Sequence, residues 1–94
     1  MHERALMTAL VAKIVDVARA EGAGKVTRVT ARLGALSHFT PEHFREHFVD
    51  ASGGTVAEGA LVDAEADQDV NAPDAAGVVL VSVEIEAGEP AEVS

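Results

Sequence analysis

The spacing of apolar residues predicts a first helix over residues 4–22. The apolar positions recur at intervals of three and four and fall on one stripe: Leu6, Leu10, Ile14 and Val17, flanked by Met7, Val11 and Ala18. Such a stripe is typical of an amphipathic helix with one buried face. We expect Gly22 and Gly24 to end the helix, because glycine readily takes the left-handed conformation that follows a helix.

After this helix the period changes to two, which predicts a strand over residues 25–33. One face carries Val29, Ala31 and Leu33, and the other carries Arg28, Thr30 and Arg32. Val26 is placed on the polar face by this alternation. The strand is therefore expected to have one buried side and one side in contact with solvent.

A second helix is predicted over residues 41–52. Thr40 is expected to cap its N-terminus, Pro41 suits the first helical position, and Glu42 suits the positive end of the helix dipole. Its buried side is expected to include Phe44, Phe48 and Val49, and Gly53-Gly54 should end it.

Two further strands are predicted over residues 60–66 and 78–86, separated by a polar loop over residues 66–77. Residues 88–94 are expected to form an acidic tail. Strands joined through a helix should be parallel with a right-handed crossover, and the last two strands should run antiparallel. The prediction is a single α+β domain over residues 1–94, with two helices on one face of a three-stranded mixed β-sheet, in the order α-β-α-β-β.

The charge is unevenly distributed along the chain. All seven basic residues lie between Arg4 and Arg45, whereas residues from Asp50 onwards include eleven acidic residues and no basic one. A nucleic-acid interface needs a larger basic surface, so we expect no nucleic-acid partner. The acidic half is expected to be a solubilising surface, with docking of a basic partner as the alternative.

Other compositional features exclude several classes of protein. The chain has no cysteine, which excludes disulfides and thiolate metal sites. No apolar run is long enough for a membrane span, and the start of the chain does not resemble a signal peptide. We therefore expect a soluble, cytoplasmic protein with no membrane contact.

The first three residues, Met1-His2-Glu3, carry the candidate chemistry. The α-amine and the His2 amide close a five-membered chelate ring, the His2 amide and imidazole close a six-membered one, and the Glu3 amide and carboxylate lie beside them. Ni(II) and Cu(II) favour such near-planar nitrogen sets, and Cu(II) should bind the more tightly. Because the amides must lose protons to bind the metal, the metal affinity should decrease as the pH is lowered. On these residues alone, a solvated terminus without metal is the alternative.

A series of short motifs then suggests a family. The motifs are Met1-His2-Glu3, Val26-Thr27-Arg28-Val29, Leu33-Gly34-Ala35-Leu36-Ser37, Pro41-Glu42 opening a helix that carries Phe48, Thr55, Glu58-Gly59-Ala60-Leu61 and Val81-Ser82-Val83-Glu84-Ile85-Glu86. With these motifs in this order, the chain resembles the HypA/HybF nickel-insertion proteins along nearly its whole length outside residues 66–77.

The resemblance implies a metallochaperone that is not an enzyme. Such proteins capture Ni(II) at the N-terminal segment and deliver it during maturation of [NiFe]-hydrogenase, and in some organisms of urease. By position, His2 would be the principal ligand through its ring and backbone nitrogens, with the Met1 amine and the Glu3 amide or carboxylate. The implied partners are a HypB-like GTPase and the hydrogenase large-subunit precursor. The family's zinc domain, with two Cys-x-x-Cys pairs, is replaced here by residues 66–77, so no structural zinc is expected.

Three other histidines are possible accessory ligands. His43 and His47 share a helix face and fit the pattern His-x-x-Glu-His of inverted zinc proteases, although the chain is far too short for such an enzyme. A solvent-exposed histidine pair is the expected state. His38, in the turn before the second helix, is also expected to be exposed, with an additional ligand role as the alternative.

The residues also bear on two other functions, calcium binding and protein interaction without a metal. The stretch Asp67-Gln68-Asp69-Val70-Asn71 begins like a calcium loop but lacks the required glycine at Ala72 and the closing glutamate at Val78. A zinc-less HypA-like interaction module that carries no metal remains the alternative to the nickel metallochaperone.

Overall fold

The computed structural model describes the backbone of residues 2–87 and the side chains of residues 4–86. Its elements are α1 (His2–Ala20), β1 (Ala23–Leu33), α2 (Pro41–Ser52), β2 (Leu61–Ala66) and β3 (Val78–Ala87). The predicted α+β order is confirmed. The predicted tail over residues 88–94 lies outside the described residues.

The three strands form one mixed sheet in the order β2-β1-β3. β1 and β2 are parallel, with Arg28 opposite Leu61 and Leu33 opposite Ala66. β3 is antiparallel to β1 and therefore also to β2, as predicted, but β1 lies between them. The longest strand thus occupies the centre, where both of its edges are hydrogen-bonded.

Both helices cover the same face of the sheet and share one core with it. On α1 the fully buried stripe consists of Met7, Leu10, Val11, Ile14 and Ala18. Leu6 and Val17, predicted at the centre of the stripe, are only half-buried. The helix runs from His2 to Ala20 and so begins and ends two residues earlier than predicted. Gly22, two residues beyond its end, has a φ of 68°, whereas Gly24 lies in β1. The left-handed conformation of Gly22 ends the helix as expected.

The prediction for Val26 is wrong, since Val26 is completely buried. The register between β1 and β3 shifts between Val26 and Arg28, so that two residues of β1 are matched by one step along β3. Thr27 is the extra residue of this β-bulge, and it puts Val26 and Val29 on the same face although they are three residues apart.

The prediction for Val49 on α2 is also wrong, because Val49 is 67% exposed. The buried residues of α2 are Phe44, Phe48 and Ser52, which follow one another at intervals of four. Residues at this spacing lie above one another on a helix, and Val49 falls beside the row. The polar loop begins at Asp67, because Ala66, the last residue of the predicted strand, pairs with Leu33 in β2.

Candidate metal centre

His2 and Glu3 of the Met1-His2-Glu3 segment lie at the start of α1. His2 and Glu3 have helical backbone, whereas Met1 and the side chains of His2 and Glu3 lie outside the described residues. The backbone N–H groups of the first turn of a helix have no acceptor within the helix. The amide nitrogens of His2 and Glu3 are therefore not committed to the hydrogen bonds of α1.

His43 and His47 lie one turn apart on α2 and contact each other. Their Nε2 atoms are 2.9 Å apart and their ring centroids 4.5 Å apart. Two neutral imidazoles form such a contact when one ring nitrogen donates its proton and the other accepts it. Both side chains are half-buried. The pair is therefore less exposed than expected.

Phe39, two residues before the start of α2, contacts both rings. Its ring centroid lies 6.0 Å from that of His43 and 6.2 Å from that of His47. Phe39 is itself buried and packs edge-on against Phe44 at 5.6 Å. The two imidazoles thus contact a fixed aromatic ring, which restricts the side-chain conformations available to them.

The backbone on either side of Phe39, at His38 and Thr40, positions its ring beside α2. The Thr40 hydroxyl accepts a hydrogen bond from the backbone N–H of His43 at 3.1 Å, which confirms the predicted N-cap. His38 is exposed, as expected, and has a φ of 68°. This left-handed residue turns the chain between Ser37 and Phe39, so that the Phe39 side chain reaches α2.

A cleft of about 310 Å³ separates the first turns of α1 from the second half of α2. Its walls are formed by Arg4, Met7, Thr8, His47, Asp50 and Ala51. Arg4 directly follows the Met1-His2-Glu3 segment. The cleft therefore places His47 on the side of α2 that faces the N-terminal end of α1.

Among residues 4–86 no group of three His, Cys, Asp or Glu side chains could hold a metal ion. The Asp67–Asn71 stretch uses its carboxylates to accept backbone hydrogen bonds, from Asp69 N–H to Asp67 at 3.2 Å and from Asn71 N–H to Asp69 at 2.9 Å. These are Asx turns, which stabilise the loop without a cation. No helix in the described part of the chain is long and apolar enough to cross a membrane.

Comparison with known proteins identifies the family. The model of the family described as "Hydrogenase/urease nickel incorporation, metallochaperone, hypA" matches residues 1–72. The chain belongs to the HypA family. This match begins at the candidate metal-binding segment and continues into the polar loop.

Individual HypA proteins are similar over the same region. The hydrogenase maturation factor HypA of Chlorobium limicola is 42% identical over 65 residues, which are 69% of this chain and 56% of that relative. The HypA of Methylocella silvestris is 41% identical over 63 residues, or 67% of this chain and 56% of the relative. The chain thus matches a little more than half the length of these HypA proteins.

The fold also matches a solved HypA structure. The solution structure of the Ni metallochaperone HypA from Helicobacter pylori has a TM-score of 0.73 with this chain and is 20% identical in sequence. The similarity covers 90% of this chain and 97% of that one. At this identity the comparison supports the α+β fold alone.

Two structural features of this HypA-family chain are not indicated by its sequence. The first is Phe39, which precedes the N-cap of α2, so that no helical spacing indicates its contact with His43 and His47. The second is Gly34, the glycine of the Leu-Gly-x-Leu-Ser motif. A side chain at Gly34 would lie 2.1 Å from the carbonyl oxygen of Ala75, which no sequence pattern indicates.

Proposed function

We propose that this chain is a nickel metallochaperone that binds one Ni(II) ion through Met1-His2-Glu3. The observation that carries the proposal is the HypA family match, which includes these three residues. The helical backbone of His2 and Glu3 supports it, because the amides of a first turn are free of intrahelical hydrogen bonds. The proposed ligands are the Met1 amine, the His2 amide and imidazole, and the Glu3 amide or carboxylate.

We propose that the bound nickel is delivered during maturation of [NiFe]-hydrogenase. A HypB-like GTPase and the hydrogenase large-subunit precursor are the proposed partners, and the family's description as nickel incorporation proteins supports this role. A thiolate zinc site is not part of the proposal, because the 94 residues contain no cysteine. The cytoplasmic location expected from the sequence stays a prediction.

The test is a nickel titration of the untagged chain with a free amine at Met1, in which binding is monitored by calorimetry and by visible absorption. We expect the weak yellow absorption of a square-planar site, saturating at one equivalent. His2→Ala should abolish this absorption because it removes one of the in-plane nitrogens. The far-UV circular dichroism should be unchanged, since His2 is at the very end of α1.

His38→Asn is the matched control, because it removes an exposed histidine and asparagine tolerates the left-handed backbone at that position. It should leave the yellow species intact. A chain that forms no square-planar species, or forms it equally well as His2→Ala, would contradict the proposed site. That result would favour an interaction module that binds its partner without carrying nickel.

A further inference from the structure

The His43–His47 pair has features that the proposed N-terminal site does not use. Two imidazole nitrogens face each other at 2.9 Å, and Phe39 contacts both rings. Neither residue belongs to the motifs by which the chain resembles its family. The pair therefore requires its own explanation.

The separation of the two nitrogens suits a shared metal ion. For metal–nitrogen bonds of about 2.0–2.1 Å, two ligands at a right angle lie about 2.9 Å apart, and two at the tetrahedral angle about 3.3 Å apart. The Nε2 atoms of His43 and His47 are 2.9 Å apart. A cation could thus bind at a right angle to both once the two rings turn so that both Nε2 lone pairs point to it.

We propose that His43 and His47 form a second nickel-binding site, in which their two Nε2 atoms bind one Ni(II) ion. Imidazole is a suitable ligand for nickel. When the metal binds, the ring that carried its single proton at Nε2 carries it at Nδ1 instead, which is a change of tautomer without net loss of a proton. Both imidazoles then remain neutral, as metal ligation requires.

The second site would have open coordination positions. No third His, Cys, Asp or Glu side chain among residues 4–86 joins the pair, so the other positions are left to water or to an incoming ligand. Sites with open positions exchange their ligands, whereas structural sites are closed by the protein. Such a site is suited to passing a metal on.

The position of the pair relates it to the proposed N-terminal site. His47 lines the cleft whose opposite wall consists of Arg4, Met7 and Thr8 at the start of α1. One of the two proposed ligands thus borders a cleft that also includes Arg4, the residue that follows the proposed N-terminal ligands in sequence. The inference that nickel moves between the two sites rests on the proposed function, whereas nickel binding by the histidine pair does not.

The two proposed sites can be distinguished by the magnetic state of the bound Ni(II). Square-planar Ni(II) is diamagnetic, whereas Ni(II) held by two imidazoles and water is six-coordinate and paramagnetic. Nickel is added to the untagged full chain and followed by calorimetry and by NMR of the imidazole and Phe39 ring protons. We expect two equivalents for the wild-type chain. His2→Ala should bind one equivalent, with broadening confined to the surroundings of His43, His47 and Phe39.

The variant His43→Gln/His47→Gln removes both ligands and keeps a polar, helix-compatible side chain at each position. It should bind one equivalent and keep the yellow species, and with His2→Ala added it should bind none. His38→Asn should retain both equivalents. Circular dichroism of each variant shows whether α2 is intact, and the wild-type NMR titration needs no substitution at all.

Three outcomes are decisive. If His2→Ala binds no nickel while the wild type binds one equivalent, the histidine pair is only hydrogen-bonded and the inference is wrong, although the proposed function stands. If the double glutamine variant loses the yellow species, the pair belongs to a single mixed site and the separate second site is overturned. If nickel binds only as a paramagnetic species that His2→Ala retains and the double glutamine variant loses, the pair is confirmed and the N-terminal proposal fails.

Discussion

Gly34 follows the last residue of β1 and lies against the backbone of the loop between β2 and β3. Its N–H donates a hydrogen bond to the carbonyl oxygen of Gly77 at 2.8 Å, and the N–H of Leu36 donates one to the carbonyl oxygen of Ala75 at 2.7 Å. The two segments are therefore joined through their backbones. The glycine of the Leu-Gly-x-Leu-Ser motif is explained by this close approach.

Gly34→Ala should destabilise the fold because the new methyl group would lie 2.1 Å from the Ala75 carbonyl oxygen. Backbone cannot move aside as a flexible side chain does, so we expect a loss of about 2–3 kcal/mol in the free energy of unfolding. Chemical denaturation measures it. Gly77→Ala is the control, since its new methyl group would lie 4.0 Å from the carbonyl oxygen of Asp74, and it should change stability by less than about 1 kcal/mol. Equal losses would show that the close contact is not the cause.

At the level of elements, α2 links the core to the candidate metal sites. Phe44 and Phe48 on one side of the helix are buried, while His43 and His47 on an adjacent side contact Phe39 and each other. The burial of the two phenylalanines fixes the rotation of the helix. That rotation in turn determines where the two imidazoles point.

Thr40→Ala should weaken the N-terminus of α2, because the Thr40 hydroxyl accepts a hydrogen bond from the N–H of His43. The expected loss is about 1 kcal/mol in the free energy of unfolding, the usual effect of removing an N-cap side chain. Thr40→Ser keeps the hydroxyl and should lose only a few tenths of that. Urea denaturation compares the three chains. A serine variant as unstable as the alanine variant would mean that the threonine methyl group, not the cap, stabilises this helix.

The elements themselves could be predicted because each has a local cause. Apolar spacing predicted α1 and α2, and Thr40, Pro41 and the glycines after each helix indicated their ends. Val26 was misplaced because a β-bulge changes the alternation of a strand, and the bulge depends on pairing with β3. Pairing across the sheet involves residues more than 50 positions apart, for example Val26 and Ile85. A pattern read along one segment contains no information about such a partner.

The candidate sites were predictable to different degrees for the same reason. The chelating atoms of Met1-His2-Glu3 are adjacent in sequence, so their chemistry could be recognised without a fold. The spacing of His43 and His47 indicated a shared helix face. Their burial and contact depend on Phe39, whose position follows from the left-handed backbone at His38. That conformation is rare for a histidine and could not be expected from the residue type.

Across the whole molecule, folding brings the separated charges of the sequence together. Arg28 on the central strand forms ion pairs with Asp63 of β2 and with Glu84 of β3, the latter at 3.8 Å. Arg32 pairs with Asp67 at 3.7 Å and with Asp74 at 3.5 Å. Part of the acidic second half of the chain is thus neutralised by β1. These carboxylates are less available to a basic partner than the sequence alone suggested.

The ion pairs of Arg28 and the net charge of −9 both affect stability, and two arginine variants distinguish their contributions. Arg28→Gln and Arg45→Gln each remove one positive charge, but Arg45 forms no ion pair with any residue in the described part of the chain. Because the paired side chains are partly exposed, we expect Arg28→Gln to lose about 0.5–1 kcal/mol more than Arg45→Gln at low salt.

Salt should reduce this difference between the two variants, since the screening length falls from about 30 Å at 0.01 M salt to about 10 Å at 0.1 M. Both variants share the same change in overall repulsion, so the part that depends on net charge cancels in the comparison. Urea denaturation of both chains at the two salt concentrations measures the contribution of the Arg28 ion pairs to the free energy of unfolding. If the two variants are equally destabilised at every salt concentration, the arginines of β1 act only through the total charge, and the acidic strands remain open to a basic partner.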